Sequence, residues 1–360
     1  MDEAKDRTIV PSPPEALASP QPPPQPDFEE AQSLVESPAE AEPANAWLKV
    51  RKLALRQLDR FMSLEPKVLR GDDPDAIHDL RVASRRLQQI LDLLYPAPRP
   101  GEIRKLRRKI QRCRRVLGEV RNCDVQLQRV ERTLASKRTA RREGWEAVHH
   151  YLHQRRSEHF EKAVRKLGKV NLAVFYVQLK EHLTPSLVVS SVVREDGRPI
   201  QLGAEQFYER VGAGLERVWR GMETQVAQSH RDPSAAVIHS VRIAAKRVRY
   251  LIEVIREFNV PGAAKALTRL RTLQQLLGDW HDLEVMEQMM IEMLARPQFL
   301  RNHMEIALSV ERLILRLRLR KEMHKQKYFA MTRDSEGYQQ IKEWVTKFLA
   351  SPAKAFRIAD

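Results

Sequence analysis

Apolar residues recur at i, i+3, i+4 and i+7 along almost the whole chain after residue 45, with few breakers, and that period belongs to amphipathic helices. The pattern predicts helices over about 46–69, 75–95, 101–135, 139–167, 170–183, 204–229, 234–258, 261–295, 298–327 and 336–350. The segment 184–203, TPSLVVSSVVREDGRPIQLG, breaks the period with Pro, Asp-Gly and Arg-Pro, and reads as a linker or a short extended piece. Residues 1–45 hold ten Pro, ten acidic residues and two basic ones. They have almost nothing to bury, so a disordered acidic tail is expected there.

The helical pattern occurs twice. Ile77–Leu94 reads IHDLRVASRRLQQILDLL, and Ile238–Ile255 reads IHSVRIAAKRVRYLIEVI, at an offset of 161 residues. His78 matches His239, Arg81 matches Arg242, Arg85 matches Lys246 and Arg86 matches Arg247. Each copy follows an Asp-Pro pair, Asp73-Pro74 and Asp232-Pro233, which predicts an Asp N-cap with Pro in the first turn. Downstream, VLGEVRNCDV at 116–125 aligns with LLGDWHDLEV at 276–285. An all-α fold built by internal duplication accounts for 46–350: a first half at 46–183, a linker at 184–203 and a second half at 204–350.

Helical geometry separates two faces in each copy. At about 100° per residue from Leu80, the residues Ala83, Leu87, Ile90, Leu91 and Leu94 fall within about 80° and form a core stripe. His78, Arg81, Arg85 and Gln89 fall on the other side, at about 100–180°. In the second copy Val241, Ala244, Ala245, Val248, Ile252 and Ile255 are apolar, and His239, Arg242, Lys246 and Tyr250 line the opposite side. Such a face is ordinarily just solvated. A solvated face, however, mixes signs, with Glu set against Lys one turn on. Here like charges stand one turn apart, which repels unless an anion relieves it.

Charge sharpens that picture. The chain has 360 residues with 63 Lys+Arg against 47 Asp+Glu, a formal +16. The first 45 residues carry −8, so the helical body carries +24. Residues 101–142 alone hold 15 basic and four acidic residues. There Leu106, Ile110, Cys113, Leu117 and Val120 make the apolar stripe, and Lys105, Arg108, Arg112 and Arg115 cluster opposite. Lys265, Arg269 and Arg271 persist in the second half, but Thr268, Thr272 and Gln275 stand where the first half has Arg108, Arg112 and Arg115. Smaller contributions are expected from Arg51, Lys52 and Arg56, and from Arg312, Arg316 and Arg320 at strict one-turn spacing.

Several chemistries are excluded. Two Cys, Cys113 and Cys123, rule out a disulfide framework or a Cys-rich zinc module, and Cys113 reads as core. No Walker loop, nucleophile elbow or H-E-x-x-H string occurs. No apolar run approaches ~20 residues, and the acidic start MDEAKDR has no apolar segment behind it, so a soluble cytoplasmic protein is expected. His149, His150 and His153 include a one-turn pair with no evident third ligand, and read as a surface cluster. Asp124, Asp279 and Asp282, after the L-G motifs, are expected to pair with the Arg columns. For His78 and His239 the chemistry leaves three roles open: donor to phosphate or packing residue, metal ligand, and phosphoacceptor.

The duplicated H-x-x-R-V/I-A-x-R/K-R string with its downstream L-G-x-x-R/H-D/N motif resembles the CHAD family, the conserved histidine α-helical domain. The resemblance covers roughly 46–350, and RIAAKRVRY at 242–250 is especially close. It implies two pseudo-symmetric four-helix bundles around a basic central groove or pore that binds inorganic polyphosphate, with some members found at polyphosphate granules. Carried over by position, the implied ligands are His78, Arg81, Arg85 and Arg86, with His239, Arg242, Lys246, Arg247 and Arg249. Lys105, Arg108, Arg112 and Arg115, with Lys265 and Arg269, stand in the helices that follow. Many relatives also carry a triphosphate-tunnel domain with an E-x-E-x-K signature; no such string occurs here. The expectation is a non-enzymatic binder with no catalytic residue, cofactor or metal.

Elementary chemistry agrees with such a ligand. Polyphosphate offers about one negative charge per phosphate and no base edges, so its reader needs a track of cations. Arg supplies a planar multi-donor fork and Lys a mobile point charge. Few aromatics interleave with these cations apart from Tyr250 and Trp280, whereas single-strand readers use stacking platforms. Two alternatives stay open: a nucleic-acid-binding protein, which +24 would equally suit, and a polyphosphate-processing or phosphohistidine protein.

Overall fold

The computed structural model describes residues 38–71, 73–137, 139–184, 191–193, 199–201 and 204–357. The first helix, α1 (Pro38–Arg70), begins eight residues ahead of the expected start; the rest of the expected tail lies outside the described residues. There follow α2 (Pro74–Leu94), α3 (Gly101–Val116), α4 (Gly118–Leu134), α5 (Arg142–Leu167) and α6 (Leu172–Leu183). A short antiparallel ribbon, β1 (Ser191–Val193) and β2 (Pro199–Gln201), pairs Val192 with Ile200. It supplies the extended piece expected of the linker. The second run is α7 (Ala204–Arg231), α8 (Ala235–Arg256), α9 (Ala263–Leu294), α10 (Pro297–Asn302), α11 (Met304–Asp334), α12 (Glu336–Ala350) and α13 (Pro352–Arg357). The architecture is all-helical apart from the ribbon.

Local chemistry explains most of the boundaries. Asp73 caps α2 as expected: its Oδ1 accepts from the backbone N–H groups of Asp75 at 2.9 Å and Ala76 at 3.1 Å, with Pro74 in the first turn. The matching expectation for Asp232-Pro233 fails. The residue before α8 is Ser234, and Asp232 Oδ1 instead accepts from the Ser234 N–H at 3.0 Å, ahead of the helix. The reason is register: at an offset of 161, Asp73-Pro74 matches Ser234-Ala235. The stretch 101–135, expected as one helix, is broken at Leu117 (φ −84°, ψ 7°), whereas its counterpart α9 runs unbroken.

The halves are not self-contained. One core runs from α1, α2, α3 and α6 into α7, α8, the N-terminal half of α9, α12 and α13. A second core is built from both halves: Cys123, Leu127 and Val130 of α4 and Val148 and Leu152 of α5 meet Met286 and Met290 of α9 and Val310 and Leu313 of α11. Helices α3–α4 and α9 are long enough that their far ends pass their own half's core and bury one another.

This packing aims the site. The α2 stripe is buried as predicted, with Leu87 and Leu91 fully enclosed, and so is that of α8, with Val241, Val248, Ile252 and Ile255 at 0% exposure. Each such side chain contributes roughly 1.5–3 kcal/mol on burial, which fixes the rotation of each helix about its axis. The opposite columns are thereby held in place, and α2 packs directly against α8.

Candidate functional site

A cavity of about 1730 Å³ lies between the α2–α4 and α7–α9 segments. That is larger than a typical small-molecule pocket and suits an extended ligand. Among the described residues, thirteen Arg and Lys side chains line it against two carboxylates, Asp92 and Asp282. His78 and His239 both open onto it, so the two copies of the motif face one space. Of the predicted residues, Arg81, Arg85 and Arg86 line it from α2, and Arg242, Lys246, Arg247 and Arg249 line it from α8.

Four of the thirteen cations are neutralised. Arg99 and Arg107 pair with Asp92 at 3.0 and 2.6 Å. Arg86 Nε lies 3.0 Å from Glu253 Oε2, and Arg249 Nε lies 3.7 Å from Glu253 Oε1. The other nine have no carboxylate within ion-pair distance among the described residues. Two of these are fixed by neutral acceptors. Arg81 donates to the backbone carbonyl of Arg114, in the last turn of α3, where helical carbonyls lack intrahelical donors. Arg114 in turn donates to Gln88 Oε1 at 2.7 Å. Arg121 Nη1 and Arg242 Nε are buried with no partner.

The proton affinities record this crowding. Burial, then Arg85, Arg114 and Arg121, pull Arg81 down to about 10. Burial and Arg85 take Arg114 to about 10 as well. Lys246 is pushed down to about 6 by burial and by Arg242, Arg85, Arg249 and Arg81, cations from both halves. His281, between Arg242, His239 and Lys246, is driven to about 3, chiefly by burial. His78 and His239 are lowered too, by burial first and then by Arg121 and Arg242. A low-dielectric pocket with so many like charges disfavours every further proton, and an anion placed in it reverses that penalty.

The remaining predicted cations lie elsewhere. Lys105, Arg108, Arg112 and Arg115 are exposed and do not line the cavity, nor do Lys265 and Arg269. In their place α3 and α4 present Arg107, Arg114 and Arg121, and α9 presents Arg271 and His281. A groove between packed helices is lined by positions flanking the apolar stripe, whereas positions diametrically opposite it reach open water. Along α3 from Leu106, Arg107 and Arg114 fall at about 80–100° and Arg108 and Arg112 at about 200–240°. Two of the missed residues, Arg121 and His281, occupy the R/H position of the duplicated L-G-x-x-R/H motif, which was the available signal. Arg51, Lys52 and Arg56 are also outside the cavity, as are Arg312, Arg316 and Arg320.

The acidic residues divide. Asp282 lines the cavity and feels Arg242 and Arg129, but burial dominates and raises its pKa. Asp124 does not pair with a column; it accepts from Arg156 Nε on α5 at 2.6 Å. Asp279 does not line the cavity; it accepts at 3.0 Å from Gln275, which does. Of the two aromatics, Trp280 is core, and Tyr250, alone of the described Phe, Tyr and Trp residues, lines the cavity, under the Arg249 guanidinium at 4.8 Å. Cys113 is buried, as expected.

No helix among the described residues is long and apolar enough to cross a membrane. No curated protein matches the chain in sequence. Among solved structures, the CHAD domain from the plant Ricinus communis superimposes with a TM-score of 0.52 at 20% identity, covering 84% of this chain and 91% of that one. PptA from Streptomyces chartreusis gives 0.53 at 13% identity, covering 84% and 99%. These similarities concern the fold. The family model of the CHAD domain matches residues 52–291, two thirds of the sequence, and the chain therefore belongs to the CHAD family.

Proposed function

We propose that this protein binds inorganic polyphosphate in the cavity between its halves and performs no chemistry on it. The observation that carries the proposal is the set of nine cavity cations, drawn from both halves, with no carboxylate partner among the described residues. A polymer with a charge on every unit and no other recognition feature satisfies all of them at once. Arg81, Arg85, Arg114 and Arg121 grip from the first half, and Arg242, Lys246 and Arg247 from the second. Neutral amides at Gln88, Gln89, Gln111 and Gln275 add donors without charge. His78 and His239 donate to phosphate oxygens once the polyanion restores their protons. The polyphosphate granule, in a cytoplasmic setting, is the proposed place of action.

Competition tests this directly. Long-chain polyphosphate should displace duplex DNA and RNA at matched phosphate concentration and salt, because among the described residues the cavity offers no aromatic platform for bases beyond Tyr250. Displacement of polyphosphate by duplex DNA would establish a nucleic-acid protein instead. Phosphate release, or a labile phosphoryl group on His78 or His239, would establish an enzyme.

A further inference from the structure

Away from the cavity, α4 and α5 bring three metal-ligating groups together. His149 and His153 stand one turn apart on α5, and Glu131 of α4 faces them. The Nε2 atoms of the two imidazoles are 3.2 Å apart, and His149 Nε2 lies 3.6 Å from Glu131 Oε1. One ligand atom from each of the three lies within 4.8 Å of the others. His150, the third member of the sequence cluster, is not part of the set. The third ligand that the sequence did not reveal is a carboxylate on the neighbouring helix.

We propose that Glu131, His149 and His153 bind a late first-row divalent cation of the Zn²⁺ class. Tetrahedral Zn²⁺ with ligands at about 2.0–2.1 Å places adjacent ligand atoms roughly 3.3–3.4 Å apart. The two separations of 3.2 and 3.6 Å bracket that value, and Glu131, being exposed, is free to close the third edge by rotation. Two imidazoles select Zn²⁺, Ni²⁺ or Cu²⁺ and disfavour Mg²⁺ and Ca²⁺, which take oxygen ligands. In the metal-free protein the two facing Nε2 atoms can share at most one hydrogen bond, with one ring as donor and the other as acceptor. A cation would accept both lone pairs and the carboxylate, leaving a fourth position for water. The bound ion would tie α4 to α5, and none of its ligands lines the polyphosphate cavity.

Calorimetric titration of the full chain with Zn²⁺ in the absence of polyphosphate, paired with visible absorption on adding Co²⁺, provides the test. The proposal expects one such ion per chain, a tetrahedral Co²⁺ spectrum and a higher melting temperature with Zn²⁺. His149→Ala, His153→Ala and Glu131→Ala should each weaken binding by more than roughly tenfold, since losing a ligand costs at least what losing an outer-shell partner does. His150→Ala should bind as the parent does. All four positions lie on the helix surfaces, and melting in chelator checks that each variant folds. Unchanged Zn²⁺ affinity in His149→Ala and His153→Ala, or an equal loss in His150→Ala, would overturn the assignment.

Discussion

Arg86 on α2 and Glu253 on α8 meet at 3.0 Å, and this single carboxylate also lies 3.7 Å from Arg249. Glu253 therefore ties the two halves together at the cavity edge while holding two cations away from any ligand. Glu253→Gln should free both guanidiniums. The expected result is tighter polyphosphate binding with a steeper salt dependence, and a stability loss of up to about 1 kcal/mol, because the Arg86 side chain is 39% exposed and screened. Binding isotherms at several salt concentrations and thermal melts measure the two effects. Weaker binding in this variant would contradict the role given to Glu253.

Polyphosphate binding should take up protons. Lys246 titrates at about 6 in the free cavity, and His78 and His239 are also lowered, so all three are largely neutral at mildly alkaline pH. A bound polyanion raises their proton affinity, so affinity should increase as pH falls from roughly 8 towards 6 and level off below. Titrations in buffers of different ionisation enthalpy report the protons directly. Lys246→Gln should flatten the profile, and an equally steep profile in that variant would refute the assignment of Lys246.

The same lysine costs stability in the unliganded protein. Its folded pKa lies below the unfolded value of 10.5, so the unfolded chain binds the extra proton and the penalty grows as pH falls from about 10 to about 6. Lys246→Met should therefore melt higher at neutral pH, by on the order of 1 kcal/mol, and bind polyphosphate less tightly. A lower melting temperature at full occupancy of the fold would show that the ammonium is already compensated.

Cys113 and Cys123 are buried, and burial pushes their thiols up to about 11 and about 12. Neither should react with a thiol reagent at neutral pH in the native state, and both should react after denaturation. Rapid native labelling of either would contradict the packing of its core.

Period and repeat made the helices and the site-bearing faces of α2 and α8 legible, because an apolar stripe that is buried must leave its opposite side outward or against a neighbour. They could not say which of those two it was. On α2 the far side meets α8 across the cavity, and Arg81 and Arg85 line it. On α3 the far side meets water, so Lys105, Arg108, Arg112 and Arg115 lie outside the cavity, which takes Arg107 and Arg114 from the flank. Likewise Asp232-Pro233 has the composition of a helix start but not the register of one. The shared core of α4, α5, α9 and α11 was hidden because the contacts that join its two halves link residues more than 130 positions apart.

Salt-dependent polyphosphate binding by two sets of triple variants tests the central claim most directly. One set neutralises Arg85, Arg121 and Arg242 inside the cavity, and the other neutralises Lys105, Arg108 and Arg112 outside it, each to Gln and each checked for native melting. Both remove three charges, so diffuse attraction would weaken equally in the two. The account predicts that the inner set loses most of the affinity and lowers the slope of log K against log salt by about 2–3 units, at ~0.7–0.9 per phosphate contact. The outer set should change either quantity only slightly. Equal losses in the two sets, or a larger loss in the outer one, would contradict a ligand held between the halves.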